Sequence, residues 1–141
     1  MTSGFPSLHL SIWIARDFAQ VYDFLHRPEN FPRWAAGLAK GLTPVPDSAD
    51  QGSSGAWIGQ GPDGPIRVRF APRNEHGVVD HWVTLTDGQV ISVPLRVIAN
   101  NGGSEVVLTL FRLPQMSDAI FTRDADWVRR DLATLKNVLE S

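Results

Sequence analysis

The last two dozen residues restrict the fold more than any other part of this chain. Across residues 117–140 the apolar side chains Phe121, Ala125, Val128, Leu132, Leu135 and Leu139 recur at steps of three and four, with Ile120, Trp127 and Val138 alongside. This is the repeat of one long amphipathic helix, and so long an apolar stripe must be covered by another element. Ahead of it, residues 56–61, 65–72, 77–86, 89–99 and 104–113 alternate apolar with polar side chains and are separated by short turn clusters. Sequential strands with such short connections form an antiparallel meander, because a parallel partner needs a crossover of about a dozen residues or more. The concave side of that meander is the one sizeable apolar surface left for the helix. The expected architecture is therefore α+β, a curved antiparallel sheet around a long C-terminal helix.

The opening of the chain adds a strand and two short helices. Residues 8–14 alternate, with Leu8, Leu10, Ile12 and Ile14 on one side of the strand. Asp17 is placed to cap a helix, Gln20 follows as its capping-box partner, and Phe18, Val21, Tyr22, Phe24 and Leu25 supply the apolar face. Pro28 ends that helix and suits the first turn of a second short one running to Trp34. Residues 43–55, TPVPDSADQGSSG, are rich in turn formers and read as a mobile surface loop. A chain of 141 residues, 43% hydrophobic, is expected to form one domain over its whole length.

The turn at Thr86, Asp87 and Gly88 sets a register that can be carried along the sheet. With Gly88 in the left-handed position, Leu85 opposes Gln89, Val83 opposes Ile91, His81 opposes Val93 and Val79 opposes Leu95. A turn over residues 100–103 extends the pattern, setting Val97 against Val106, Leu95 against Leu108, Val93 against Leu110 and Ile91 against Arg112. One face is then apolar except for His81 and Arg112, while Asp80, Trp82, Thr84, Val90, Ser92, Pro94 and Arg96 form a wet outer face.

His81 and Arg112 are the candidate chemical groups. An imidazole in an apolar row is either a satisfied core residue or a contact for a ligand, able to titrate near neutrality. Arg112 either points inward and needs an anionic or carbonyl partner, or reaches water past the strand end. Tyr22 and Trp34 are core aromatics that could also offer a hydroxyl and an aromatic wall.

Other chemistries are excluded or unsupported. The 13 basic and 15 acidic side chains leave a formal charge of -2, with no footprint for a phosphate backbone, so nucleic acid is not an expected partner. The absence of cysteine removes disulfides and thiolate chemistry. The four histidines are scattered, and no metal site or cofactor is expected. Gly59, Gly61 and Gly64 match a dinucleotide fingerprint in spacing alone, because Pro65 and a strand follow where a helix is required. No G-x-S-x-G elbow occurs. Asp124, Asp126 and Asp131, interleaved with Arg123, Arg129 and Arg130, read as a solvated, ion-paired helix face. Residues 1–6 carry neither a basic nor an apolar leader segment and no run is long enough to enter a bilayer, so a cytoplasmic location without membrane insertion is expected.

The order strand, two short helices, meander, long helix is that of the helix-grip fold, and the segment ARDFAQVYDFLHRPENFPRWAAG (15–37) resembles the start of SRPBCC proteins, the superfamily of START, Bet v 1 and polyketide cyclase-like domains. The resemblance spans about residues 8–140. It implies a cavity between sheet and long helix that binds a small hydrophobic molecule such as a lipid, quinone or polyketide-like compound. The expected wall is Val68, Phe70, His81, Val83, Ile91, Val93, Leu108, Leu110 and Arg112 from the sheet, Trp34 from the second helix and Phe121 from the long helix. Two other readings stand beside it. One is a cyclase or dehydratase-like enzyme with His81 as acid or base and Arg112 steering an oxygen atom. The other is a protein-interaction domain of the co-chaperone kind, for which outward-facing Trp13 and Trp82 would serve; they also leave room for a homodimer.

Overall fold

Two antiparallel sheets and one long helix organise the molecule. The computed structural model describes residues 3–35, 40–45, 56–61 and 63–141. Strand β1 (Ser7–Ile14) leads into helix α1 (Phe18–His26), a 3-10 turn (Pro28–Asn30) and the single-turn helix α2 (Phe31–Trp34). Seven strands follow: β2 (Lys40–Pro44), β3 (Ala56–Gly61), β4 (Gly64–Phe70), β5 (His81–Thr84), β6 (Val90–Val93), β7 (Leu95–Asn100) and β8 (Gly103–Phe111). Helix α3 (Asp118–Glu140) closes the chain and packs on β1, β8 and α2.

The helix ends are set by local chemistry. The Asp17 carboxylate accepts the Gln20 N–H at 2.8 Å, which starts α1 where the sequence places it. The Ser117 hydroxyl accepts the Ile120 N–H at 3.1 Å and starts α3. Ser117→Ala removes that acceptor, and we expect it to cost about 1 kcal/mol. The check is a lower urea midpoint at unchanged slope.

The register around Gly88 is the expected one. His81 pairs with Val93, Val83 with Ile91 and Thr84 with Val90, while Gly88 takes the left-handed conformation at φ 86°. The Val79 N–H donates to the Leu95 carbonyl at 2.8 Å, continuing the same register. Gly77 is required for a different reason. At φ 74° its added Cβ would stand 2.4 Å from the Val97 carbonyl oxygen and 2.8 Å from the Phe18 ring, so no side chain fits where this loop crosses β7.

The structure departs from the sequence expectation at two places. Residues 89–99 are two strands. Pro94 has no N–H to give, and on one side of it β6 pairs with β5, on the other β7 pairs with β8. The described strands therefore form two sheets, ordered β1-β8-β7 and β2-β3-β4-β5-β6. The β7–β8 ladder stops at Leu95 and Leu108, so Val93 has no ladder pairing with Leu110, nor Ile91 with Arg112. The second departure is β2, an edge strand inside a stretch expected to be loop from residue 43. It is hard to see in KGLTP because its register with β3 shifts between Lys40 and Thr43 and it ends on a proline, features that edge strands tolerate. The rest of that expected loop, 46–55, lies outside the described residues, as does the end of the 15–37 segment.

The core lies where α3 crosses the concave face. Leu10 and Ile14 of β1, Val97 and Val106 of β7 and β8, and Val128, Leu132 and Leu135 of α3 are buried, with Val21, Tyr22 and Leu25 of α1. Among the described residues, no helix is long and apolar enough to cross a membrane.

Candidate functional site

Beyond Pro94 β6 and β8 share no ladder, and β4, β5, β6 and β8 together with α3 line a space that their side chains do not fill. The resulting cavity has a volume of about 370 Å³. Its walls are Ile66 and Val68 of β4, Val83 of β5, Ile91 and Val93 of β6, Leu108, Leu110 and Phe111 of β8, Ile120 and Val128 of α3, and Phe31 of α2. Polar lining residues concentrate in the turns and in the first turns of α3. Asp63 comes from the β3–β4 turn, Thr86, Asp87 and Gln89 from the β5–β6 turn, Gln115 from the approach to α3, and Arg123 and Asp124 from α3 itself.

Two side-chain bridges join the sheet turns to α3 and to the segment leading into it. Arg123 reaches Asp63 at 3.3 Å while also holding Asp124 at 3.1 Å, and its guanidinium lies 4.5 Å from the centre of the Trp127 ring. Across from it the Gln115 amide donates to the Gln89 side-chain oxygen. Burial pushes the Asp124 carboxyl above the usual carboxylate range, and the Arg123 hydrogen bond limits the rise.

His81 is the polar group set deep in the wall, only 3% exposed. Strand β5 holds it between Phe70 and Val93 in the ladder, and its ring packs edge-on to Phe31 at 5.5 Å and tilted against Phe70 at 5.4 Å. Its Nδ1 lies 3.2 Å from the Val79 carbonyl oxygen. A carbonyl only accepts, so the proton sits on Nδ1 and Nε2 carries a free lone pair. Burial pulls the imidazole pKa down to about 4; the Val79 hydrogen bond and the neighbouring Asp80 carboxylate oppose this more weakly. At neutral pH the ring is uncharged.

Seven of the residues expected at the wall lie together there: Val68, His81, Val83, Ile91, Val93, Leu108 and Leu110. The other four do not line the cavity. Phe70 is buried one layer behind it, against Phe31 and His81. Trp34 is 2% exposed in the core, packed on Phe31. Phe121 is half-buried elsewhere on α3. Arg112 is engaged outside the cavity, donating to the Met116 carbonyl at 3.2 and 3.3 Å and pairing with Asp118, so it ties the end of β8 to the start of α3. Tyr22 is likewise occupied, its hydroxyl accepting the Asn74 N–H at 2.8 Å.

The helix carboxylates need a correction. Asp126 is on a solvated face with Arg129, as expected, but Asp131 is 6% exposed and Asp124 lines the cavity. The spacing held the signal: Asp124 is three after Phe121 and four before Val128, and Asp131 is three after Val128 and four before Leu135. Both are on the apolar stripe. Among the described residues, no group of three or more His, Asp or Glu side chains is placed to hold a metal ion.

No protein-family model matches the sequence, and no curated protein matches it either. Solved structures do. An uncharacterized protein from Bacillus thuringiensis superposes with a TM-score of 0.74 at 15% identity, over 96% of this chain and 100% of the other. A START superfamily protein from Mycobacterium smegmatis superposes at 0.72 and 10% identity, over 95% and 97% of the two chains. The Aha1 dimer from Colwellia psychrerythraea gives 0.70 at 12% identity, over 96% of each. This chain has the helix-grip fold. At these identities the likeness carries the architecture and not the activity.

Proposed function

We propose that this chain is a member of the SRPBCC superfamily that binds one small hydrophobic molecule in the cavity between the sheet and α3. The observation that carries the reading is the cavity itself. It is within the size range of small-molecule sites, it has aliphatic and aromatic walls, and its polar groups are grouped at the rim apart from His81. The ligand class is a lipid, quinone or polyketide-like compound, whose apolar body matches such walls. The acid–base reading retains only His81, because Arg112 is spent on Met116 and Asp118. Trp13 is also partly accounted for within the chain: its indole N–H donates to the Asn100 carbonyl at 2.9 Å, and the Lys136 ammonium lies over its ring.

Titration with N-phenyl-1-naphthylamine, a neutral apolar dye that brightens on leaving water, tests the reading. We expect a saturable rise in fluorescence corresponding to one dye per chain, with a Kd of order 1–10 μM, about −7 to −8 kcal/mol. No rise up to the solubility limit of the dye would refute it.

A further inference from the structure

The inner end of the cavity is chemically one-sided. His81 contributes a ring nitrogen whose environment is fully accounted for on the other side: Nδ1 is committed to the Val79 carbonyl, and the ring is held by Phe31 and Phe70. Turning the ring over would set a C–H against that carbonyl and lose the bond. Nε2 has no hydrogen-bond partner among the described residues, and it belongs to a side chain that is 3% exposed and lines the cavity. Nε2 is thus an acceptor open to the cavity space and not sealed inside the protein, and a ligand that fills that space can satisfy it only with an O–H or N–H.

We infer that the cavity selects hydroxyl-bearing apolar molecules, the hydroxyl entering first and donating to His81 Nε2. The inference rests on the reading of the cavity as a ligand site. It narrows that reading, because the three ligand kinds differ in what they present. A quinone carbonyl, an ether or a carboxylate brings only lone pairs to the Nε2 lone pair, and in a water-poor site that contact is repulsive. An alcohol or phenol brings the missing proton. Sites built around a hydrogen bond discriminate well against analogues that lack it, since the protein group is otherwise left unpaired.

The test compares 2-naphthol with 2-methoxynaphthalene, which share a ring system and differ in the donor. Dissociation constants are measured at neutral pH by fluorescence for the wild type and for His81→Phe, which keeps a flat ring and removes the acceptor. The methyl ether is the more apolar compound, so burial alone favours it. We expect the wild type to bind 2-naphthol about tenfold more tightly, the worth of roughly one good hydrogen bond, and the ratio to fall to about one in His81→Phe. Equal affinities in the wild type would overturn the inference while leaving the binding site in place. A ratio unchanged in His81→Phe would overturn it too. Binding of neither compound would remove the site and the inference together. The wild-type ratio is decisive by itself should the variant fail to fold.

Discussion

Taking the protein from pH 7 to pH 4 should remove about 3 kcal/mol of folding stability through His81 alone, at about 1.4 kcal/mol for each pH unit between the unfolded and folded pKa values. The ordinary imidazole pKa of 6.5 is lowered to about 4 in the fold by burial. The unfolded chain therefore binds a proton between those values that the folded chain refuses. The sign follows: stability from the neutral buried ring is complete above 6.5 and is lost as the pH falls toward 4. Within the fold the ring is faced by Phe70 of β4, Val93 of β6 and Phe31 of α2, all uncharged, and Asp80, the residue just before β5, opposes the shift only weakly. Other groups add to the slope. His26 is lowered by burial and by Arg73. For Asp80 burial is the largest single effect and raises it, but the Arg96 guanidinium and the Leu95 N–H together outweigh burial and leave it lowered, and Glu140 is lowered by Lys136. Asp124, raised by burial, acts in the opposite direction. The measurement is thus a difference: urea unfolding from pH 7 to pH 4 for the wild type and for His81→Phe. The wild-type curve should fall more steeply below pH 6.5, and parallel curves would contradict the buried neutral imidazole.

Filling the cavity should abolish binding without harming the fold. Val83 is half-buried, paired with Val68 and Ile91, and all three line the space. Val83→Trp points an indole into it, displacing the volume a ligand would use. We expect N-phenyl-1-naphthylamine affinity to drop by more than about 30-fold, or roughly 2 kcal/mol. Thermal stability should hold or rise, because wall atoms gain contacts they lacked. Overpacking a filled core has the opposite signature, a loss of about 1–3 kcal/mol. Ile98→Ser, a change on the exposed outer face of β7, serves as the control and should leave dye binding unchanged. Equal binding by Val83→Trp would place the dye somewhere other than the cavity.

The sheet register and the long helix were readable in the sequence because each rests on a strict period. The turn at Gly88 sets which residues of β5 and β6 oppose one another, and alternation then assigns their faces. The stripe from Ala125 to Leu135 is one face of α3 and is buried as its spacing requires. What periodicity does not carry is where a continuous run changes partners. Pro94 leaves the alternation from Gln89 to Ala99 intact while dividing it between two sheets, and extending one ladder across it brought Arg112 to the wrong surroundings. Nor does an apolar, inward-facing residue announce whether it meets a void or another side chain. Phe70 and Val68 are both buried on the same face of β4, yet the first packs on Phe31 and the second lines the cavity, a difference set by where α2 lands. The solvated-face expectation fails at Asp124 and Asp131 for a related reason, position on the stripe outweighing charge, while the expected ion pairing holds at Asp124 with Arg123.

Chemical-shift mapping of the labelled protein with N-phenyl-1-naphthylamine tests the central claim, that a small apolar molecule is held between the sheet and α3. The account predicts perturbations concentrated at Val68, His81, Val83, Ile91, Leu110 and Val128, which come from four strands and a helix and all line the cavity. Perturbations confined to Trp82, Val90 and Ile98 on the outer face, with the cavity residues unmoved, would contradict it.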